Sequence, residues 1–179
     1  MSFFTSARER RLWAWTLAVV VAIYSTLGLA RTLAEALGDS GLGAGLFILG
    51  CLLVLVTVVT QGLTRRPSGA EIGVALGVVA VYLLVFVRMT VPTERSHLIE
   101  YGVVALFMHE ALTERASQGG RVPVPAVLAV VGASLVGVLD ECIQALLPRR
   151  VFDLRDIGFN IIAAVLAVVV SVALAWARR

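Results

Sequence analysis

Long apolar stretches, separated by short polar connections, make up most of this chain. They lie at 12–30, 41–63, 70–90, 97–113, 123–147 and 155–177, here called segments one to six. About 20 apolar residues, each rising roughly 1.5 Å along a helix, cross a hydrocarbon core of about 30 Å. None of the segments alternates polar and apolar residues as a membrane β-strand does. The pattern predicts an all-α polytopic membrane protein, a bundle of about six transmembrane helices.

Segment four is the least apolar of the six. Its uninterrupted apolar stretch covers only 102–108. It crosses a membrane only if Glu100 and Glu110 lie near opposite boundaries. In a five-helix alternative, segment four is a re-entrant or tilted element instead.

Composition agrees with a membrane protein. With 59% hydrophobic residues over 179 positions and a mean hydropathy of +0.94, the chain is too apolar for a soluble domain of this size. We expect one membrane domain over 1–179, with segment one kept as an uncleaved helix. Cys51 and Cys142 lie in apolar runs, so a disulfide framework has no support. The net charge of +3 lies on the segment flanks, which fits membrane flanking and not nucleic-acid binding.

The arginines predict an orientation. Arg8, Arg10 and Arg11 precede segment one, and the positive-inside tendency puts that end in the bacterial cytoplasm. Six spans then place both termini and nine arginines inside. The other six lie outside: Arg31, Arg88, Arg95, Arg149, Arg150 and Arg155.

Polar residues in the last three segments are the most informative feature of the chain. They are His97, Glu100, Asp140, Glu141, Gln144, Asp153, Asp156 and Asn160. A charged group in hydrocarbon costs roughly 3 kcal/mol or more, so such residues face a protein interior or a cavity. With alternating helix directions, all eight approach the outer face. Ala129, Ala133 and Gly137 continue at four-residue steps into Glu141, which predicts a packed face and not a lipid-facing one.

Plainer roles stay open for some of these residues. Asp153 can be the N-cap of the last helix, with Asp156 at the third helical position. Asp140 and Glu141 can be neutralised by an arginine and serve helix packing only. We expect the polar residues at the far end of segment four to meet cytoplasmic water: His109, Glu110 and Glu114. A small-residue stripe on segment three is expected to serve packing alone: Gly69, Gly73 and Gly77.

The residue types suggest hard-cation or acid–base chemistry. Zinc is disfavoured, because the two histidines lie at opposite ends of segment four, roughly 18 Å apart by helical rise. Carboxylates with an amide carbonyl suit Mg²⁺ better. The predicted Mg²⁺ ligands are Asp140, Glu141, Asp156 and Asn160.

The remaining candidates divide into two groups. The first would bind an anionic head group, since guanidinium groups grip phosphate or carboxylate: Tyr101, Arg149, Arg150 and Arg155. The second would transfer protons or polarise water: His97, Glu100, Asp140, Glu141 and Gln144. No phosphate-binding loop or serine-nucleophile motif is present in the sequence.

Two stretches resemble the signatures of the VanZ-like membrane proteins, named for a teicoplanin-resistance protein. The first runs Glu-Arg-Ser-His-Leu-Ile-Glu-Tyr-Gly from Glu94. The second begins Gly-Val-Leu-Asp-Glu-Cys-Ile-Gln at Gly137 and continues through Pro148, Arg150, Asp153, Asp156 and Asn160. The resemblance covers 94–177, about half of the chain. Such proteins often have glycine after the asparagine, where this chain has Ala163 and Ala164. The resemblance implies a role in the cell envelope, including lower binding of glycopeptide antibiotics.

Two functions of different class follow. In the first, a pocket at the outer leaflet binds, and in a stronger form hydrolyses or modifies, a lipid or lipid-linked envelope intermediate. In the second, the protein is non-catalytic and binds a partner or supports structure through a closed polar network. A transporter is disfavoured, because 122–139 is apolar apart from Ser134 and no internal repeat is visible.

The predicted orientation has a direct test. A single cysteine at Arg149→Cys, in a background with Cys51→Ser and Cys142→Ser, should react with a membrane-impermeant maleimide added to intact cells. A cysteine at Arg65→Cys should react only after the cells are opened. The reverse pattern would invert the topology.

Overall fold

The computed structural model describes residues 3–26, 68–73, 76, 77, 80, 92–147 and 152–177, the side chains of 92–98 excepted. Four helices run through these ranges: α1 (Ala7–Thr26), α2 (Pro92–Ser117), α3 (Pro125–Leu146) and α4 (Leu154–Ala177). The described positions between 69 and 80 are also helical. No strand occurs in the described residues, and the all-α prediction is confirmed. Segment two and most of segment three lie outside the described residues.

Helix α2 is the centre of the described bundle. It contacts α1, α3 and α4, and α3 and α4 also contact each other. The shared core consists mainly of small and β-branched residues: Val104, Ala105, Ala129, Ala133, Ala164, Ala167 and Val168. Small side chains let helix backbones approach closely, which explains why the stripe predicted on segment five is buried from Ala129 to Gln144.

Local signals fix the helix ends. At the start of α1, the Ser6 hydroxyl accepts the Glu9 N–H (3.0 Å), and the Glu9 carboxylate accepts the N–H of Thr5 (2.6 Å). At the start of α4, the Asp153 carboxylate accepts the N–H of Arg155 (2.8 Å). Asp153 is therefore the N-cap of α4, as the plainer interpretation predicted.

The α2–α3 turn is closed by two glycines. The Gly120 N–H donates to the Arg115 carbonyl (3.0 Å), and Gly119 adopts a φ of 81°. A left-handed residue just past a helix end is favourable for glycine and satisfies carbonyls that the helix leaves open. Pro125 then stands at the start of α3, where its missing N–H costs nothing. The tight turn sets α2 and α3 side by side as neighbours.

Helices α3 and α4 are long and apolar enough to cross a membrane. In the most apolar 18-residue stretch of each helix, only 28% of α3 and 33% of α4 is buried inside the protein. Their outer faces expose large apolar side chains, including Leu135, Leu139, Ile162 and Val169. Helix α1 is less apolar than α3 and α4 because four of its first five residues are charged: Arg8, Glu9, Arg10 and Arg11.

The structure decides against one alternative, the re-entrant segment four, and corrects two sequence expectations. Segment four belongs to one continuous helix, α2, and is not a re-entrant loop. The glycines at 69, 73 and 77 are exposed, and a Cβ added at any of them would meet nothing within 4 Å, so the packing prediction is wrong for the described residues. His109 does not meet water. It is 7% exposed, and its Nδ1 lies 3.0 Å from the Ser171 hydroxyl of α4. The position of His109 along its own helix does not show which residue of another helix lies beside it.

Ion pairs join α1 to α2 at the end that carries the N-terminus. Arg8 contacts Glu110 (2.9 Å) and Glu114 (3.1 Å), and the Ser6 hydroxyl donates to Glu114 (2.8 Å). Arg115 approaches the buried Glu9 (3.5 Å). We call these five residues and Ser6 the α1–α2 clamp.

Two carboxyl groups of the α1–α2 clamp, those of Glu114 and Glu9, favour the charged form. Hydrogen bonding from Ser6 and the charge of Arg8 outweigh desolvation and lower the pKa of Glu114. Burial alone would raise the pKa of Glu9, but hydrogen bonds from Thr5 and the charge of Arg115 more than offset it, and that pKa is also lowered. A carboxyl with a lowered pKa in the folded state stabilises the fold above its unfolded value of 4.5, and this contribution is lost as the pH falls below it.

The clamp predicts a pH-dependent stability. Glu114→Gln should lower the melting temperature at pH 7, and the difference from wild type should shrink as the pH falls from 5 towards 3. Arg8→Gln should give a loss that is not additive with Glu114→Gln, because the two residues share one contact. Arg10→Gln is the matched control, since Arg10 is exposed and makes no ion pair within the described residues. A pH-independent effect of Glu114→Gln would contradict the clamp.

Candidate functional site

Five predicted site residues come together where α2, α3 and α4 meet. Asp140, Glu141 and Gln144 lie on the last two turns of α3, Asn160 on the second turn of α4 and Tyr101 within α2. All five are at most 2% exposed. Three-helix packing around small residues is what brings them together. We call these five residues the polar cluster.

Asp140 is at the centre of the polar cluster. Its Oδ2 accepts a hydrogen bond from the Gln144 amide (3.1 Å), one helical turn further along α3. The hydroxyl of Tyr101 lies against the same carboxylate from α2. No basic side chain among the described residues contacts Asp140, so the ion-pair interpretation of this acid has no support there.

Tyr24 is a member of the site that the sequence did not single out. Its hydroxyl donates to the Val136 carbonyl of α3 (2.9 Å) and lies close enough to Asp140 for an electrostatic interaction. The sequence signal for Tyr24 was its position in the second half of segment one. With alternating helices, the end of segment one reaches the same face as the polar residues of the last three segments. An aromatic ring near a membrane boundary is common, which is why the residue type alone gave no indication.

Glu141 connects α3 to the start of α4. Its Oε2 accepts the backbone N–H of Asp153 (3.1 Å), although Glu141 is fully buried and Asp153 is exposed. The bond fixes where the connection between the two helices re-enters the bundle. Glu141 therefore positions the chain beside the polar cluster.

Asn160 of α4 lies against Gly137 of α3. A Cβ built on Gly137 would be 2.8 Å from the Cβ and Nδ2 of Asn160. Neither amide atom of Asn160 has a hydrogen-bond partner within the described residues, and neither has the Oδ1 of Asp140. Each buried polar group left unsatisfied costs about 1–3 kcal/mol. These three atoms are therefore the part of the cluster that calls for a further partner.

The other predicted residues lie around the polar cluster or outside the described part of the chain. Glu100 and Asp156 are half-buried, and Glu100 is an electrostatic neighbour of Tyr101. Arg155 is exposed at the start of α4. Three predictions fall outside the described residues: the side chain of His97, and Arg149 and Arg150.

The arrangement does not support the predicted Mg²⁺ site. The described residues contain no group of three or more His, Cys, Asp or Glu side chains placed to hold a metal ion. The physical reason is that Asp140 and Glu141 are adjacent on a helix and project about 100° apart. Asp140 faces Gln144 and Tyr101, whereas Glu141 faces the backbone of Asp153. The predicted ligand set of Asp140, Glu141, Asp156 and Asn160 therefore has no support in this part of the chain.

No protein-family model, curated protein or solved structure matches this chain.

The contact between Gly137 and Asn160 predicts a sharp difference between two glycines of α3. Gly137→Ala should lower the free energy of unfolding by about 1–3 kcal/mol, because the added methyl group would push Asn160 and the α4 backbone away. Gly132→Ala is the control. Its added Cβ would meet the Sδ of Met108 at 3.1 Å, and that flexible side chain can move aside. Thermal unfolding of both variants in the same detergent measures the difference. Equal melting temperatures would show that α3 and α4 are not closely packed at this level.

Proposed function

We propose that this chain is a multi-pass protein of the bacterial cytoplasmic membrane, with six spans, both termini in the cytoplasm and the polar cluster near the outer face. The apolar outer surfaces of α3 and α4 support burial in lipid. The arginines before segment one support a cytoplasmic N-terminus. The tyrosine, acidic and amide groups of four helices share one end of the bundle, as the alternating topology requires.

The proposed activity is binding of a membrane lipid or lipid-linked envelope intermediate by its head group. The observation that carries it is the set of buried atoms without hydrogen-bond partners in the described residues, the amide of Asn160 and the Oδ1 of Asp140. A site that waits for a ligand leaves such atoms open, because the ligand supplies their hydrogen bonds. The VanZ-like resemblance of 94–177 adds the envelope setting, with tolerance of glycopeptide antibiotics as the cellular consequence. A chemical step on the lipid would draw on His97 and Glu100 for proton transfer.

A structural role is the second candidate, and two contacts favour it. The bonds from Gln144 to Asp140 and from Asp153 to Glu141 are internal to the protein and link the turns around the polar cluster. A closed network of this kind stabilises a helix arrangement without any ligand. A purely structural role does not explain the amide of Asn160, because neither of its polar atoms has a hydrogen-bond partner in the described residues.

Ligand binding separates the two candidates. Purified protein in detergent should bind at least one class among polyprenyl phosphates, polyprenyl pyrophosphates and phospholipids. The affinity should fall by at least about tenfold in Asp140→Asn, which replaces a carboxylate oxygen by an NH₂ donor, and in Asn160→Leu, which removes the amide. Cys142→Ser is the matched control, because Cys142 lies on the same turn and is exposed away from the polar cluster. Parallel samples with and without Mg²⁺ test the metal separately.

The structural candidate predicts a different outcome. Glu141→Gln would lower the melting temperature, and no lipid in the series would bind in a way that depends on Asp140 or Asn160. That result would refute the binding proposal.

A further inference from the structure

The open atoms of the polar cluster have a definite hydrogen-bonding character. The Oδ1 of Asp140 can only accept hydrogen bonds when this carboxyl is ionised, and the Oδ1 of Asn160 can only accept them. Among these three atoms, the Nδ2 of Asn160 is the donor. The group that completes this set must therefore supply at least two hydrogen-bond donors.

The charge of an ionised Asp140 also favours a hydrogen-bond donor as the ligand group. Asp140 is fully buried and has an amide and a phenol as its neighbours in the described residues. Beside the ionised form of this carboxyl, an anionic phosphate would add like-charge repulsion in a medium of low dielectric constant, where such repulsion is strong. A phosphate also offers acceptors where acceptors are already in excess. The interior of the cluster therefore disfavours the phosphate of a lipid.

The phosphate has a better place at the edge of the bundle. Arg155 is exposed, five residues before Asn160, which corresponds to about 7.5 Å along the axis of α4. A guanidinium group there can bind phosphate oxygens in contact with water. Arg155 lies about 140° around α4 from Asn160, so it marks the water-facing edge and is not a wall of the polar cluster. A head group whose phosphate stays at that edge would direct its terminal substituent inward to Asn160 and Asp140.

We infer that the polar cluster takes the hydrogen-bond-donating end of a phospholipid head group, a primary amine or a hydroxyl pair, while the phosphate stays outside at the water-facing edge of the bundle. This inference rests on the proposed function and adds the substrate class to it. The sequence-based expectation assigned an anionic head group to Tyr101, Arg149, Arg150 and Arg155, and the inference adds a donor-bearing group as the partner of Asp140 and Asn160.

Four phospholipids with identical acyl chains test the inference. Phosphatidylethanolamine carries three N–H donors, and phosphatidylglycerol carries two hydroxyls. Phosphatidylcholine has a cationic head group without donors, and phosphatidic acid has only the phosphate. Wild-type protein in a detergent of fixed composition should bind at least one of the first two about tenfold more tightly than either of the last two, by native mass spectrometry or lipid-competition titration.

Preference for ethanolamine alone would identify an amine as the ligand group, and preference for glycerol alone would identify hydroxyls. Either result supports the inference. In Asn160→Leu the preference should disappear, whereas Cys142→Ser should keep it. The wild-type series decides the question by itself if Asn160→Leu does not fold.

Two failures are distinguishable. If phosphatidylcholine or phosphatidic acid binds as tightly as the donor-bearing lipids, in a manner that depends on Asn160, the inference is wrong and the proposed function stands. If neither these four lipids nor the polyprenyl series binds, the proposed function fails together with the inference.

Discussion

The close approach of α3 and α4 at Gly137 is the constraint on which the rest of the site depends. Without a side chain at that position, the amide of Asn160 can lie directly against the α3 backbone, one turn from Asp140. Alanines on both helices continue the close contact towards the other end. Burial of the amide and carboxyl groups is a result of this packing, and burial is what makes each of their unsatisfied hydrogen bonds costly.

The two ends of the described bundle treat their polar groups differently. At the end near the N-terminus, Arg8, Glu114 and Glu9 are joined by ion pairs and hydrogen bonds, and His109 finds Ser171. At the other end, Asp140 and Asn160 keep open atoms. An apolar layer of small residues separates the two ends. The ion-paired end holds helices together, although the Oε1 of Glu9 has an ion-pair contact and no hydrogen-bond partner in the described residues. Recognition is proposed for the other end, where no described basic side chain contacts Asp140.

Much of this arrangement follows from helical periodicity. The buried stripe of α3 and the cap at Asp153 could be predicted, because small residues and acids recur at steps of three and four and capping needs only local sequence. Tyr24 and the burial of His109 could not, since both depend on which helix lies alongside. The Mg²⁺ prediction grouped residues by type, and the described residues contain no metal-binding group of three such side chains, since neighbours on a helix diverge. The resemblance of 94–177 includes residues of the polar cluster and gives no contacts between them.

The bond between Glu141 and the backbone of Asp153 has an evolutionary consequence. Because the donor is a main-chain N–H, the contact places no demand on the side chain at 153, and any residue other than proline preserves it. Serine, threonine or asparagine would even keep the helix cap. Position 141 has no such freedom, because the shorter side chain of aspartate would not reach the backbone N–H of residue 153. Substitutions in related sequences should therefore accumulate at the loop side of this contact and be excluded from the helix side.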